Sequence, residues 1–477
     1  MKIKIVFVFV LLSFYFANAQ TEPTNQATNL NFSNIKTYKA SMSFSPSDAD
    51  GYLVVINKNQ VNFTPTNNTS YQTGEIINGN RIVKSSASTF FFVKNLMQNN
   101  TYQVSIFAYN QSGSNITYKT DNPLVGTFTT ASDFYGGYYS GIDVDASNVI
   151  NQFTNLIQPH TQVPYSQFDE TIVADFFEYD TVISGSTQHY VECQYSGEKR
   201  IYTGTFAFVS PSPAYNREHR VPFTWMNFQG VSRSDFEQFD EGCDLHALEL
   251  TNGDVNSSRS NYAFGDVAGN PWSDSYLMYT KGRDANNIIV AEPRPDRKGD
   301  IARAVFYIML TYNGKYSQNW GMDNLLSEAS TQDLQTLIDW HFADLPDDFE
   351  KTRHSYVYEK QGNRNPLIDF PELVNCIDFS DMTKRATCNV VISGIKPSVK
   401  AEMGAYVYPN PSEGTLYFKE LKAKDVKTIH IYNMLGAEVY NFSFNEDSVN
   451  VSNLSKGAYM ISIESKNKQF ISKFLLK

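Results

Sequence analysis

The segments that decide the fold of the central region read NREHRVPFTW at residues 216–225 and CDLHALELTNGDVNSSRSNYAFG at residues 243–265. In these segments, acid, imidazole, amide and guanidinium groups surround two short apolar runs. Asp244, His246 and Leu248 alternate with apolar neighbours, which predicts a strand, and the turn-forming residues that follow predict the start of a helix. The expected order is strand, loop, strand and helix.

The same stretch contains the side chains that hydrolysis of a phosphodiester requires. Such a reaction needs a hard cation on the phosphate oxygens, a base for water and positive charge near the transition state. Glu218 and Asn256 carry oxygen ligands that suit Mg²⁺, and Asn256 is expected to face His219 across the ion. His219 can accept a proton near pH 7. The Arg259 guanidinium matches two phosphate oxygens, with a structural salt bridge as its alternative role.

Asp244, His246 and Arg217 are further candidates around this set. Cys243 and His246 have the spacing of half a zinc site, but no second Cys/His pair lies close in the sequence. We therefore expect Asp244 or His246 to set the site by hydrogen bonding, with an ordinary core histidine as the alternative. Arg217, which precedes Glu218, is expected to support the site or to contact substrate.

These motifs resemble those of the endonuclease I family of secreted bacterial nucleases. The resemblance rests on EHRVP at 218–222, DLHAL at 244–248, DVNSSRSNYAFG at 254–265, EPRPDRKGDIARAVFYIMLTY at 292–312 and WHFADLPDDFEKTRHSYVYEKQGNRNPLIDFPEL at 340–373. The order of the five segments matches the family, and the similar region extends from about Tyr135 to Leu373. One departure is Ala247, which stands where family members often have Asn or His.

The resemblance implies a mechanism and a product. His219 would be the general base, and Glu218 and Asn256 would hold Mg²⁺, with Ca²⁺ or Mn²⁺ as alternatives. Water activated by His219 would cut DNA, RNA or both with little sequence preference and leave 5′-phosphate ends. Two other functions stay open: a non-catalytic secreted adhesion or binding protein, and a metal-dependent phosphatase that uses the same residues.

Both flanks of the central region have the pattern of β-sandwiches. Short alternating strands fill residues 28–130, and LMQNNTYQVSIFAYN at 96–110 resembles the fibronectin type III pattern, with Leu96 and Tyr102 placed as in a tyrosine corner. Near the C-terminus, YPNPSEG, IYNMLGAEV and LSKGAYMISI resemble the sorting domain of the type IX secretion system. This resemblance implies export by the type IX machinery, followed by release or attachment at the cell surface.

We therefore predict a multidomain chain with an all-β N-terminal sandwich, a mixed α+β nuclease core and a small all-β C-terminal sandwich. The order of strand, loop, strand and helix in the core resembles that of a ββα-metal (His-Me) finger. The predicted segments are a signal peptide at 1–19, a fibronectin type III-like domain at 24–131, an endonuclease I-like domain at 135–380, a linker at 381–404 and a sorting domain at 405–477. The signal peptide has two lysines, an apolar run and Ala17-Asn18-Ala19. No later run is long and apolar enough for a membrane helix, so we expect no stable membrane insertion, and we expect a monomer.

Charge and cysteine content restrict the possible partners. The formal net charge of -11 becomes -13 once Lys2 and Lys4 are removed with the signal peptide. This value argues against coating of nucleic acid by bulk electrostatics, so any polyanion must meet a local basic patch. In an exported chain, the even number of cysteines favours two disulfides of undetermined pairing; the cysteines are Cys193, Cys243, Cys376 and Cys388.

Apolar periodicity predicts three helices in the central region, at about 149–157, 301–312 and 331–342. Ser330 and Asp333 could form a capping box at the start of the third. Within the second, Arg303 is expected either to line the nucleic-acid groove or to pair with an acid such as Glu350.

Overall fold

A computed structural model describes most of the chain. The described part is residues 21–477 without 133–136, 227–231, 326–330, 387–401, 404–406, 419–425, 434–437, 444–447 and 466–468. The predicted signal peptide and most of the predicted linker lie outside the described residues. The chain divides into two compact units, Met1–Phe134 with Phe153–Arg385, and Tyr135–Gln152 with Ala386–Lys477.

The N-terminal part of the first unit is a two-sheet sandwich. Its strands are β1 (Thr28–Ser33), β2 (Ala40–Ser45), β3 (Gly51–Lys58), β4 (Ile76–Ile77), β5 (Asn80–Ser86), β6 (Phe90–Val93), β7 (Thr101–Ser112), β8 (Asn115–Tyr118) and β9 (Leu124–Thr129). One sheet has the order β1-β2-β6, and the other has the order β4-β5-β3-β7-β8 with β9 also paired to β7. Met42, Val54 and Ile106 are fully buried between the sheets. The Tyr102 hydroxyl accepts a hydrogen bond from the Met97 backbone amide at 2.9 Å, which confirms the tyrosine corner.

The central region mixes short sheets with helices, as predicted. Its strands are β10 (Tyr179–Ile183), β11 (Ser186–Glu192), β12 (Lys199–Tyr202), β13 (Tyr215–His219), β14 (Leu248–Asn252), β15 (Ala263–Phe264), β16 (Thr280–Arg283), β17 (Ile289–Glu292), β18 (Ile377–Asp378) and β19 (Thr383–Lys384). Its α-helices are α1 (Val149–Ile157), α2 (Arg233–Phe236), α3 (Asp240–Cys243), α4 (Gly253–Arg259), α5 (Lys298–Tyr312), α6 (Leu334–Ala343), α7 (Asp348–Gln361) and α8 (Pro366–Asp369). A 3₁₀ turn at Tyr165–Phe168 leads into a π-helix at Asp169–Phe177.

Helix α5 forms the centre of this region, because every residue from Gly299 to Tyr312 is buried. A helix that is apolar on nearly all sides must be enclosed by other elements. Its one buried arginine, Arg303, donates from Nε to Glu350 Oε1 at 2.8 Å. The pairing alternative for Arg303 is therefore the one that the structure shows.

Two local predictions from the sequence are wrong. The second strand of the finger begins at Leu248, whereas residues 244–247 form a buried turn closed by hydrogen bonds from the amides of Ala247 and Leu248 to the Asp244 carbonyl, at 3.0 and 3.1 Å. The third predicted helix begins at Leu334, and its cap is Asp333, whose side chain accepts from the Thr336 amide at 3.0 Å. Asp333 is thus the capping residue itself, and Ser330 lies outside the described residues.

The C-terminal unit is a second small sandwich. Its strands are β20 (Glu402–Met403), β21 (Val407–Tyr408), β22 (Thr415–Phe418), β23 (Val426–Asn433), β24 (Glu438–Ser443), β25 (Ser448–Asn450), β26 (Gly457–Ser465) and β27 (Gln469–Leu476). They form sheets of order β20-β27-β26-β23-β24 and β21-β22-β25. Ile429, Ile431, Ile461 and Phe474 are fully buried in its core.

The prediction of two disulfides is wrong. Cys193 and Cys243 both have free thiols and lie in the interior of the first unit, where burial raises the pKa of each thiol. Cys388 lies outside the described residues, so the pairing of Cys376 stays a prediction. Among the helices in the described ranges, none is long and apolar enough to cross a membrane.

Candidate active site

The predicted ββα arrangement is present and brings helix α4 against strand β13. Strands β13 and β14 pair antiparallel, with His219 opposite Leu248. Helix α4 follows β14 directly because the Asn252 side chain caps it, accepting from the Asp254 amide at 2.8 Å. Gly253 fits at this junction because a Cβ there would lie only 3.2 Å from the Ala214 carbonyl oxygen.

One cavity of about 420 Å³ lies between these elements. It is lined by Glu218, His219, Asn256 and Arg259 together with Asn216, Pro222, Phe223, Thr224, Phe236, Ser257, Ser260 and Asn261. A water molecule takes roughly 30 Å³ of liquid volume, so the cavity has room for a hydrated ion and a phosphate group. The structure thus brings together all four residues that were predicted for base, metal and phosphate.

His219 is fixed in one orientation and one tautomer. Its Nε2 lies 2.8 Å from the Gly242 carbonyl oxygen. Because a carbonyl can only accept, Nε2 must carry the hydrogen, and Nδ1 is then the basic nitrogen of the neutral ring. The imidazole stacks on Tyr165 with centroids 5.5 Å apart and planes 3° apart, and it lies 5.2 Å from the ring of Phe236.

Gly242, in helix α3, packs against the main chain of Phe236, where there is no room for a side chain. A Cβ at this position would lie 2.1 Å from the Phe236 carbonyl oxygen, which no other residue could avoid without a shift of the backbone. Sequence reasoning missed Gly242 and Tyr165, since a main-chain acceptor and a distant stacking ring leave no motif of their own.

Glu218 accepts hydrogen bonds from neighbouring side chains although it belongs to the cavity wall. Its carboxylate is 4% exposed, and Oε1 accepts from the Tyr195 hydroxyl and from Arg259 Nη1, each at 3.1 Å. Burial and then the charge of Glu218 raise the pKa of Tyr195 well above its ordinary value, so Tyr195 stays a neutral donor. Tyr195 was not among the predicted residues.

Arg259 is 1% exposed and its nitrogens contact the protein itself. Besides Glu218, Nη1 lies 3.3 Å from the carbonyl oxygens of His219 and Ser260. Nη2 donates to the Arg220 carbonyl at 2.8 Å. These contacts support the salt-bridge alternative for Arg259, in which it orients Glu218 instead of binding phosphate.

Asp244 is not in the cavity wall but in a buried network behind it. Its Oδ2 accepts from the hydroxyls of Tyr307 and Tyr312, at 2.8 and 2.9 Å, and Oδ1 accepts from Gln361 at 3.1 Å. Burial alone would raise the pKa of Asp244, but His160 and the neighbouring hydrogen bonds outweigh it and lower the pKa. The ionised Asp244 carboxylate therefore stabilises the turn at residues 244–247 that precedes β14.

His246 and Arg217 also lie away from the cavity wall. His246 is 2% exposed, and burial lowers the pKa of its imidazole well below the ordinary value, so the ring is neutral and its Nε2 lies 3.3 Å from the Asn363 carbonyl. The Arg217 guanidinium lies over the rings of Tyr165 and Phe208, at 4.7 and 4.5 Å. Arg217 thus contacts the aromatic ring that stacks on His219.

The donor set of the cavity fits a hard divalent cation. Within the described residues there is no group of three or more His, Cys, Asp or Glu side chains that could hold a metal ion. The cavity instead offers the Glu218 carboxylate and the Asn256 amide. One carboxylate and one amide suit an ion that keeps several waters and shares its shell with a phosphate, as Mg²⁺ does.

Two family models match the chain. The model described as Endonuclease I matches residues 146–372, and the model described as Secretion system C-terminal sorting domain matches residues 406–477. The first range contains every residue of the cavity wall. The second marks the chain for type IX secretion, and therefore for an extracellular or cell-surface location.

Solved fibronectin type III domains were found for the N-terminal sandwich. The domain of human collagen XX is 19% identical and covers 23% of this chain and 94% of that chain, with a TM-score of 0.16. The domain of human fibronectin type III domain containing protein 3 is 18% identical and covers 24% of this chain and 94% of that chain, with a TM-score of 0.17. The sandwich itself is defined by its strand pairing and its tyrosine corner.

Three curated relatives are similar to part of this chain. The extracellular ribonuclease of Bacillus subtilis (strain 168) is 34% identical over 33% of this chain and 52% of that protein. The extracellular ribonuclease of Bacillus amyloliquefaciens is 30% identical over 46% of this chain and 69% of that protein. Endonuclease-1 of Buchnera aphidicola subsp. Baizongia pistaciae is 26% identical over 26% of this chain and 45% of that protein. The chain spans about half the length of the first relative. Its coverage of the second, together with the matched model, shows that the chain belongs to the endonuclease I family.

Proposed function

We propose that this protein is a secreted nuclease that hydrolyses phosphodiester bonds of nucleic acid with a divalent metal and little sequence preference. The observation that carries the proposal is the cavity in which Glu218 and Asn256 stand beside His219. The hydrogen bond from His219 Nε2 to a backbone carbonyl supports it further, because it leaves Nδ1 as the base. Membership of the endonuclease I family agrees with this chemistry.

His219 removes a proton from the attacking water in this proposal. Nδ1 takes the proton, and the Gly242 carbonyl holds the opposite N–H of the imidazolium that forms. The rings of Tyr165 and Phe236 keep the imidazole in place while it changes charge. The water attacks phosphorus in line with the departing 3′ oxygen, which gives 5′-phosphate ends.

Glu218 and Asn256 would hold the divalent cation, with Mg²⁺ as the expected ion and Ca²⁺ or Mn²⁺ as alternatives. When bound, this ion would neutralise charge on the phosphate and stabilise the departing oxygen. Arg259 and Tyr195 fix the Glu218 carboxylate through Oε1, so that little reorganisation is needed when substrate binds. Asp244 and His246 lie outside the cavity wall. They stabilise the turn before β14 through the hydrogen bond from the His246 amide to Asp244 Oδ1.

We propose both DNA and RNA as substrates. Contacts to phosphate position a nucleic acid without specifying its sequence, and the proposed chemistry involves only the phosphodiester. The relatives are named as extracellular ribonucleases and an endonuclease, which is consistent with either nucleic acid. A ribonuclease would have to use contacts to the 2′-hydroxyl to exclude DNA.

The test is incubation of the exported chain with plasmid DNA, structured RNA and a small phosphomonoester, with Mg²⁺ or EDTA. His219→Ala is compared with His430→Ala, a matched change in the C-terminal unit. We expect magnesium-dependent cutting of both nucleic acids, lost in the first variant and kept in the second. Cleavage of the phosphomonoester alone would support a phosphatase. Intact substrates in every reaction, also with Ca²⁺ and Mn²⁺, would overturn the proposal in favour of a binding protein.

A further inference from the structure

We propose that the N-terminal sandwich is a built-in support of the active site, because it holds one end of the π-helix whose other end leads to Tyr165 against His219. The proposal rests on the proposed function and adds a positioning role for a domain that lies outside the matched family region, 146–372. Tyr165 is the positioning residue through which the sandwich would act.

Tyr38 is the apolar anchor of the contact between the sandwich and the central region. It lies between β1 and β2 and is 2% exposed. Its ring meets that of Tyr356, in α7, at 89° with centroids 4.9 Å apart. It also lies edge-on to Phe176, in the π-helix, at 6.3 Å. Edge-to-face packing is a preferred geometry of aromatic pairs, so Tyr38 packs here as in the core of a single domain.

Polar contacts from the sandwich converge on the C-terminal end of the π-helix. Lys39 Nζ lies 2.8 Å from Asp175 Oδ1, and Lys94 Nζ lies 3.2 Å from Glu178 Oε1. Asn95 donates from its side chain to the Glu178 carbonyl at 3.1 Å. These ion pairs are only partly exposed, so they are screened less than fully solvated pairs. The charges of the two surfaces are complementary at this end.

A second set of contacts joins the sandwich to helix α7. The Gln98 amide donates to Thr352 Oγ1 at 3.1 Å, and the Gln98 side chain accepts from Ser355 Oγ at 2.6 Å. Helix α7 and the π-helix pack together, since the rings of Phe176 and Tyr356 are 5.0 Å apart. The sandwich therefore binds two elements that support each other.

The π-helix needs such support. Its last bond runs from the Glu178 amide to the Val173 carbonyl, five residues back, at 2.9 Å. Helical turns of this type are rare and often stand at functional sites, and most helical stability in proteins comes from tertiary packing. Contacts at Asp175 and Glu178 supply that packing from the sandwich.

The other end of this helical segment reaches the proposed base. The 3₁₀ turn Tyr165–Phe168 continues into the π-helix, and Phe168 keeps helical backbone angles of φ -65° and ψ -22°. Tyr165, at the start of the turn, is the ring that stacks on His219. A shift at the sandwich end would therefore move the ring beside the base. Misplacement of a catalytic group by about 1 Å can cost up to about 100-fold in rate.

The first test measures hydrogen exchange of backbone amides in residues 165–177 of the full chain. Tyr38→Ala removes the anchor, and Tyr52→Ala is the matched control, since Tyr52 is also 2% exposed but contacts Phe44 and Ser47 within the sandwich. We expect faster exchange in this segment for Tyr38→Ala than for Tyr52→Ala. Exchange in Tyr38→Ala as slow as in the wild type would overturn the proposal.

The second test measures kinetics and needs an active wild type. We expect Tyr38→Ala and Tyr165→Ala each to lower kcat about tenfold with KM nearly unchanged, and to shift the acid limb of the pH profile. Tyr38→Phe and Tyr165→Phe keep the rings and should restore both. Normal kcat and pH profile in the alanine variants would refute the positioning role. Because exchange does not depend on turnover, an inactive wild type would refute the proposed function and leave the first test valid.

Discussion

At the scale of single residues, one arginine fixes the acid that is proposed to hold the cation. Arg259 is almost fully buried and pairs with Glu218 at 3.1 Å. We expect Arg259→Met to lower the free energy of unfolding by about 3–5 kcal/mol, because it removes the cationic partner of a buried carboxylate. We also expect weaker Mg²⁺ binding. Denaturation and calorimetric titration with Mg²⁺ measure the two effects.

Arg259→Lys separates this role from direct contact with substrate. A lysine keeps the charge but lacks the fork that joins Glu218 to the carbonyls of His219 and Arg220. We expect an intermediate loss of stability and of Mg²⁺ affinity. Wild-type stability and affinity combined with lost activity would instead indicate that Arg259 contacts the phosphate.

The sequence predicted those residues of the cavity that lie within one local motif. Glu218, His219 and Asn256 follow from the order of strand, strand and helix, because short-range geometry alone brings them together. Tyr165 and Tyr195 come from other segments, and only the tertiary fold places them beside His219 and Glu218. Their positions depend on packing that no spacing in the sequence encodes.

At the scale of elements, the N-terminal cap of helix α4 is expected to affect both the stability of the fold and the binding of the metal. Asn252 accepts from the Asp254 amide and donates to Glu198 Oε2 at 2.6 Å. We expect Asn252→Ala to lower the free energy of unfolding by about 1–2 kcal/mol and to weaken Mg²⁺ binding, because α4 carries Asn256. Asn252→Asp keeps the cap but faces the Glu198 carboxylate, so it should recover only part of the stability.

Denaturation of the two variants and titration with Mg²⁺ check this expectation. Gln335→Ala, at an exposed position of helix α6 outside the cavity wall, serves as the control for loss of a polar side chain. If Asn252→Ala keeps both wild-type stability and wild-type Mg²⁺ affinity, the cap does not support the site.

The periodicity of apolar residues predicted the helices well. It failed at a buried turn whose sequence alternates like that of a strand. Helix α5 was expected from its apolar spacing and begins three residues earlier, at Lys298. Residues 244–247 alternate as a strand would, yet all four are buried. When both faces of a segment are buried, the alternation of polar and apolar residues no longer distinguishes a core-facing side from a solvent-facing side. The conformation of residues 244–247 is instead set by the hydrogen bonds to the Asp244 carbonyl.

At the scale of the whole molecule, acid should destabilise the fold through a buried histidine. His341 is fully buried, and its Nε2 lies 2.8 Å from the Pro371 carbonyl. Burial and then the charge of Arg303 lower the pKa of His341 to about 4. The unfolded chain binds this proton near pH 6.5 and the folded chain does not, so stability present above pH 6.5 is lost as the pH falls towards 4. The loss is about 3 kcal/mol.

The measurement is chemical denaturation at intervals between pH 7 and pH 4. His341→Gln keeps an N–H for the Pro371 carbonyl but does not titrate, so we expect similar stability at pH 7 and a shallower decline below pH 6.5. Equal slopes for the wild type and the variant would show that His341 does not contribute. His246, whose pKa is also lowered by burial, acts in the same direction.

At this scale, the domains could be predicted from the sequence, but the contacts between the N-terminal sandwich and the central region could not. The two sandwiches and the mixed core follow from local strand and helix patterns. The contact of Lys39 with Asp175 joins positions 136 residues apart, and neither residue belongs to a motif. Surface lysines and aspartates are common, so only the packed structure shows which ones meet.

The carbonyl that orients His219 belongs to the main chain, and no exchange of a side chain can delete it. The carbonyl belongs to Gly242, and even one added methyl group at that position would collide with the Phe236 carbonyl. A substitution elsewhere in helix α3 leaves this carbonyl oxygen in place as long as the helix keeps its backbone position. At position 242 itself, any residue other than glycine would force the backbone to shift and would displace the carbonyl from His219.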